Sequence, residues 1–133
     1  MQPVRYAGFF AMLLGLLALS AAPSRAFEEK AFDSESFKAA QSAGKPILVD
    51  VFAPWCPTCK AQQTVLGSLQ DKPAFDKLVV FKVDYDSQPD VVKSFRAQRQ
   101  STLIAYKGAA ETGRSVGDTK PASIEALLMS ALE

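Results

Sequence analysis

The apolar positions of the chain switch repeatedly between the spacing of a β-strand and that of an α-helix. Continuous runs of β-branched and aromatic residues predict strands, and stretches with an apolar residue every three or four positions predict helices. The predicted strands are 46–52, 78–83, 102–106 and a short edge strand at 113–117. The predicted helices are 33–43, 60–70, 90–98 and 123–132. This order predicts an α/β fold in which a central mixed β-sheet is covered by helices on both faces.

Local signals mark several of the element boundaries. Asp33, or Ser34 beside it, is a suitable N-cap for the first helix, and Gly44 is a suitable residue to end it. Phe75 follows the proline that ends the second helix, and we expect it to pack in a short connecting turn.

The first 26 residues have the pattern of an export signal. A basic residue, Arg5, precedes an apolar run over 7–19, and the small residues Ser24 and Ala26 suit cleavage after Ala26. The alternative is an uncleaved membrane anchor, but the run is shorter than the roughly 20 residues that span a bilayer. We therefore predict a cleaved signal peptide over 1–26 and one domain over 27–133.

Charge and residue types exclude several functional classes. Removing 1–26 leaves 13 basic and 14 acidic residues, so the domain has no basic surplus with which to bind nucleic acid. The chain has no histidine, which excludes Ser-His and Cys-His nucleophile pairs and disfavours a closed zinc site, which needs four ligands. The sequence therefore predicts no resident metal, no cofactor and no nucleic-acid partner.

The only two cysteines, Cys56 and Cys59, lie between the strand at 46–52 and the helix at 60–70. A single pair in one C-x-x-C does not make a disulfide scaffold, so its role is redox, metal binding or a local bridge. The unpaired N–H groups of a helix start carry partial positive charge and favour a thiolate. Such a position lowers the pKa of a thiol below the roughly 8.5 of a free cysteine, which favours the redox role.

Three segments resemble the thioredoxin family. The run VDVFAPWCPTCK at 49–60 is similar to the family's active-site segment, and KVDYDSQP at 82–89 is similar to its next strand and loop. Residues 101–103 and 116–117 fall where the family has its cis-proline loop and a late glycine. The resemblance covers roughly 33–132 and implies a thioredoxin-like fold.

The resemblance implies a role for four residues. Cys56, expected to be the more exposed thiol, would attack a substrate disulfide, and Cys59 would resolve the mixed disulfide. Asp50, which interrupts an apolar strand, matches the family's buried acid beneath the resolving cysteine, and Lys82 matches its lysine partner. The alternatives are a solvent-facing acid at a strand end and an ordinary surface lysine.

Substrate docking is expected at Trp55 and at the residues that line the cysteines. Pro57 and Thr58, between the cysteines, would tune the redox potential and contact the substrate. The matching docking loop is 100–102, consisting of Gln100, Ser101 and Thr102. Ser101 replaces the family's cis-proline, so the Gln100–Ser101 bond is either a strained cis bond or a trans bond that shifts the docking edge.

Together these observations predict an exported, periplasmic thiol-disulfide oxidoreductase that reduces partner proteins. Its expected partners are disulfide-containing exported proteins and a membrane-bound electron donor, and the expected state is a monomer. Two alternatives remain open at this point: a strongly oxidising disulfide donor, and a non-catalytic binding module built on the thioredoxin scaffold.

Overall fold

The computed structural model describes residues 26–133, which form one five-stranded sheet, four α-helices and a 3-10 turn. The signal peptide predicted over 1–26 lies, apart from Ala26, outside the described residues. The strands are β1 (Glu28–Ala31), β2 (Pro46–Phe52), β3 (Val79–Asp84), β4 (Thr102–Lys107) and β5 (Ala110–Val116). The helices are α1 (Ser34–Ser42), α2 (Pro57–Leu69), α3 (Pro89–Ser94) and α4 (Pro121–Ser130), and the 3-10 turn is Pro73–Phe75.

The sheet is mixed, as predicted, and its strand order is β1-β3-β2-β4-β5. β1, β3 and β2 are parallel, whereas β4 and β5 are antiparallel to their neighbours. The carboxyl ends of β2, β3 and β5 therefore meet the amino end of β4 at one edge of the sheet. The segment that contains both cysteines leaves β2 at this edge.

Alternate residues of β2 pack into two separate cores. Leu48 faces α2 and α4 and packs in one core with the apolar residues of both helices. Ile47, Val49 and Val51 face the other way, toward α1 and α3. An aromatic cluster fills that second core: Phe32, Phe37, Phe81, Phe95 and Tyr106. Helices thus cover both faces of the sheet, which confirms the predicted α/β architecture.

The structure adds one strand that the sequence did not predict. β1 has the sequence EEKA and, within residues 26–133, pairs only with β3, so it lies at the edge of the sheet with three of its four residues exposed. An edge strand of this kind lacks the apolar alternation that identifies buried strands.

Several element boundaries also differ from the prediction. α2 begins at Pro57 rather than at residue 60, and α3 ends at Ser94 rather than at 98. α3 stops early because Arg96 adopts a left-handed backbone with φ of 53°, which cannot continue a right-handed helix. Phe75 lies fully buried in the 3-10 turn, as expected, and the Asp33 carboxylate caps α1 by accepting from the Ser36 N–H at 2.8 Å.

Within residues 26–133, no helix has both the length and the apolarity to cross a membrane.

Candidate active site

Cys56 is the N-cap of α2, and its sulfur is bonded to that of Cys59 one helical turn later. The Cys56 backbone is extended, so the chain turns into the helix at this residue. Its Sγ accepts from the Cys59 N–H at 3.1 Å, and the two Cα atoms lie 5.3 Å apart. Pro57 occupies the first helical position, where a missing N–H leaves no hydrogen bond unmade. The disulfide therefore lies at the positive end of the α2 dipole.

Both cysteines are buried in this oxidised state. Cys56 is 1% exposed and Cys59 is 3% exposed, so the prediction that Cys56 is the more accessible thiol is wrong for the disulfide form. The reason is geometric, because the Cys56 side chain folds back onto the helix start to reach both the Cys59 N–H and the Cys59 sulfur. Ala53, Phe52 and Tyr85 pack around the pair.

Trp55 lies exposed beside the disulfide. Its side chain is 59% accessible, although its indole N–H donates to Asp86 Oδ2 at 2.7 Å. That hydrogen bond ties the segment before α2 to the loop after β3. Pro57 is also exposed and Thr58 is partly buried, so three of the predicted docking residues border the disulfide along the chain.

Asp50 is fully buried in β2, on the side of the sheet that α2 covers. Its neighbour in register on β3 is Lys82, and Lys82 Nζ lies 4.0 Å from Asp50 Oδ2. Burial raises the pKa of Asp50 from its ordinary value of 3.8 to about 6, while the Lys82 charge and a hydrogen bond from Gln63 oppose that rise. The structure therefore excludes the solvent-facing alternative for Asp50.

Gln63 stands between the acid and the lysine. Its amide nitrogen donates to Asp50 Oδ2 at 2.6 Å, and its amide oxygen accepts from Lys82 Nζ at 3.2 Å. Lys82 Nζ also lies 4.7 Å from the centre of the Phe52 ring. Asp50 Oδ1, by contrast, meets no hydrogen-bond donor among residues 26–133. One carboxylate oxygen is thus anchored, and the other has its lone pairs available to accept a proton.

The loop before β4 contains the remaining docking candidates. Residues 26–133 contain no cis peptide bond, so the Gln100–Ser101 bond is trans. Ser101 adopts a left-handed backbone with φ of 62°, an uncommon conformation for a residue with a Cβ. Ser101 and Thr102 are buried, Gln100 is partly buried, and the Thr102 hydroxyl donates to the Arg99 carbonyl at 2.7 Å.

The comparisons with known proteins agree with this architecture and motif. The thioredoxin family model matches residues 27–130, most of the chain. The chain belongs to the thioredoxin family. Thioredoxins are thiol-disulfide oxidoreductases that act on disulfide-containing proteins, and this chain has the cysteine pair which that chemistry requires.

Individual thioredoxins are similar over most of the domain. The thioredoxin of Alicyclobacillus acidocaldarius is 32% identical over 98 residues, which cover 74% of this chain and 92% of that protein. The crystal structure of Trxlp from Edwardsiella tarda EIB202 is 42% identical, with a TM-score of 0.74, and the match covers 76% of this chain and 98% of that one. The crystal structure of Malassezia sympodialis thioredoxin is 25% identical, with a TM-score of 0.68, and the match covers 78% of this chain and 93% of that one.

This thioredoxin-family site includes two glutamines that the sequence analysis missed. Gln62 and Gln63 follow Cys59 by three and four residues, so they lie one turn further along α2, on the same side of the helix as Cys59. Gln63 binds the acid and the lysine, and Gln62 binds the loop that contains Ser101. A signal was present for Gln62, because its spacing from Cys59 and Val65 places a polar residue on the apolar face of the helix.

The thioredoxin-family disulfide has no metal cluster beside it in the described part of the chain. No group of three or more His, Cys, Asp or Glu side chains there could hold a metal ion. Within residues 26–133, the structure brings the two sulfurs together at the start of α2 and places the buried Asp50 carboxylate against Gln63 of the same helix. Thiol-disulfide exchange requires a thiolate that attacks a sulfur and a base that accepts a proton.

Proposed function

We propose that this protein is an exported, periplasmic reductase of protein disulfides. The observation that carries the proposal is the Cys56–Cys59 disulfide at the start of α2, beside the exposed face of Trp55. A strong oxidant needs a highly stabilised thiolate in its reduced form. The residues between the cysteines, Pro57 and Thr58, bring no cation to provide that stabilisation, and the chain has no histidine. This favours the reductant over the oxidant.

The proposed reaction moves two electrons to the substrate. The Cys56 thiolate attacks one sulfur of the substrate disulfide, and the other substrate sulfur leaves as a thiolate. Cys59 then loses its proton to Asp50 and attacks Cys56 Sγ, which releases the second substrate sulfur as a thiolate and forms the Cys56–Cys59 disulfide. Both substrate thiolates then take up protons from the solvent. The substrate disulfide is reduced to two thiols while the Cys56–Cys59 dithiol is oxidised.

Insulin reduction tests this reaction. We expect the reduced domain 27–133 to reduce insulin, and Cys56→Ser to be inactive because it lacks the nucleophile. Cys59→Ser should accumulate a mixed disulfide between Cys56 and the substrate. A wild-type domain no faster than Cys56→Ser, together with no trapped adduct, would contradict the proposal. Full biological activity of the Cys56→Ser/Cys59→Ser double variant would instead favour a binding module.

The direction of electron flow has its own measurement. Equilibration of the Cys56–Cys59 pair in glutathione buffers gives its reduction potential. We expect a value near the roughly −270 mV of thioredoxins, and a value near −120 mV, about that of the strongest disulfide oxidants, would reverse the direction.

Export and recharging complete the proposal. The support for export is the basic, apolar and small-residue pattern of 1–26. A membrane-bound electron donor would return two electrons to the disulfide after each turnover, and the protein would act as a monomer. Fractionation of cells that express the full chain should yield a periplasmic protein whose first residue is Phe27. A membrane-bound product that still begins at Met1 would support the anchor instead.

A further inference from the structure

Gln62 is a fully buried polar side chain in the centre of α2. It is 0% exposed and lies three residues after Cys59, on the face of the helix that also carries Val65 and Leu69. An apolar side chain would fill this position without leaving polar atoms away from water. The amide oxygen of Gln62 in fact has no hydrogen-bond partner in the described chain. Core packing alone therefore does not explain the glutamine.

The amide nitrogen of Gln62 does have partners, and they lie in two separate loops. It donates to the Ser101 carbonyl at 3.1 Å and to the Asp118 carbonyl at 2.9 Å. Ser101 belongs to the loop before β4, and Asp118 follows the end of β5. Both hydrogens of one amide group thus join α2 to the two loops at the edge of the sheet where the disulfide lies.

The Ser101 loop needs such a restraint. Its left-handed backbone persists only where neighbouring groups hold it, because a residue with a Cβ disfavours this conformation. Its carbonyl accepts from Gln62 and also from the Gly117 N–H at 2.9 Å. These two donors fix the direction of the Ser101 carbonyl.

The Asp118 loop is tied to α4 from its other side. The Asp118 carboxylate accepts from the Lys120 N–H at 2.9 Å and from the Ser123 hydroxyl. The Gln62 amide therefore lies at the junction of three segments: the central part of α2, the loop 100–102 and the loop 117–118.

We propose that Gln62 is a positioning residue for substrate docking, whose buried amide holds the loops 100–102 and 117–118 in register with the disulfide. The proposal rests on the proposed function, because it assigns to these loops the backbone edge against which a polypeptide substrate lies. A small disulfide reaches Cys56 without that edge. Gln62 should therefore act on the binding of protein substrates and not on the exchange chemistry.

The test compares a protein substrate with a small one. Gln62→Met keeps the length of the side chain and removes both donors, and Gln41→Met, a partly buried glutamine on α1, is the matched control. For Gln62→Met we expect KM for insulin to rise about tenfold, the scale of one or two lost hydrogen bonds, with kcat within twofold. The rate with an aromatic small-molecule disulfide and the reduction potential should stay unchanged. The Gly117 N–H should also exchange with solvent faster than in wild type.

A second variant, Gln62→Asn, tests the proposal if Gln62→Met does not fold. Gln62→Asn retains the amide on a side chain one methylene shorter, which reaches only one of the two carbonyls. Its KM for insulin should therefore lie between that of the wild type and that of Gln62→Met. An unchanged KM for insulin in both variants would overturn the inference, and so would an equal loss with both substrates. A wild-type protein that does not reduce insulin would refute the proposed function itself.

Discussion

Asp50 is the residue whose chemistry depends most on its neighbours. A buried carboxyl with a pKa of about 6 changes protonation close to neutral pH, where it can take a proton from a thiol. Gln63 keeps Lys82 Nζ at 4.0 Å from Asp50 Oδ2 and binds that oxygen itself. The lysine consequently lowers the pKa of the acid without forming a short ion pair that would keep it ionised at lower pH.

Replacement of Gln63 should shift the pH dependence of the reaction. Gln63→Met removes a donor to the ionised carboxylate and fills the same space, so the pKa of Asp50 should rise above about 6. Because Asp50 accepts a proton only when ionised, the acid limb of the rate of mixed-disulfide resolution should move to higher pH. Stopped-flow measurement of that rate from about pH 5 to about pH 9 gives the limb.

Gln41→Met serves as the control for a glutamine-to-methionine change elsewhere in the domain. An acid limb that stays in place in Gln63→Met, or moves to lower pH, would contradict the role assigned to the Gln63 amide. Loss of the limb altogether in Asp50→Asn would identify Asp50 as its source.

At the scale of elements, the 3-10 turn connects the active-site helix to the sheet. Phe75 is fully buried there and packs in the core that also contains Leu66 and Leu69 of α2. The turn thereby fixes the end of α2 that is remote from the disulfide.

Truncation of Phe75 should weaken the whole domain. Phe75→Ala removes a buried ring, and such changes cost about 3–5 kcal/mol of the free energy of unfolding. Urea unfolding followed by tryptophan fluorescence measures the loss, with the exposed Lys77→Ala as a control that should change little. A loss in Phe75→Ala as small as that in Lys77→Ala would show that the turn does not support the core.

The sequence predicted the elements that bury a regular apolar pattern and missed those that do not. β2 has its predicted bounds because the run from Pro46 to Phe52 is almost wholly apolar, whereas β1 has no such run and depends on its pairing with β3. The cysteine pair and Asp50 could be assigned to the site because they stand out from the strand and helix around them. The spacing of Gln62 marks a polar residue on the apolar face of α2, but the sequence could not identify the partners of Gln62 and Gln63, which lie up to 56 residues away in the chain.

At the scale of the whole molecule, the site is assembled from four strand ends. β2 supplies the cysteine segment, the loop after β3 supplies Asp86 for Trp55, and the loops before β4 and after β5 are joined by Gln62. Apolar side chains fill the cores on both faces of the sheet. The buried Asp50 is the exception, since it opposes folding whenever it is ionised.

The stability of the domain should therefore depend on pH. The folded pKa of Asp50 is about 6 and its ordinary value is 3.8, so between these values the folded state binds more protons than the unfolded state. The contribution of Asp50 to stability should fall as pH rises through this window, by about 3 kcal/mol in total, whereas Asp33, Glu111 and Asp118, whose pKa values are lowered, act in the opposite direction. Urea unfolding of the oxidised wild type and of Asp50→Asn at about pH 4 and about pH 8 should show this loss as the difference between the two proteins.

Asp50→Asn should remove that dependence, because an amide does not ionise. The same fall in stability in Asp50→Asn as in the wild type would assign the effect to other groups.

The central claim is that the start of α2 turns Cys56 into a reactive thiolate, and the pH dependence of its alkylation tests this most directly. The rate at which iodoacetamide modifies Cys56 in the reduced domain follows the fraction of thiolate. We predict a midpoint clearly below the roughly 8.5 of a free cysteine, which rises to that value when the domain is unfolded in urea. A midpoint at or above about 8.5 in the folded, reduced protein would contradict the claim.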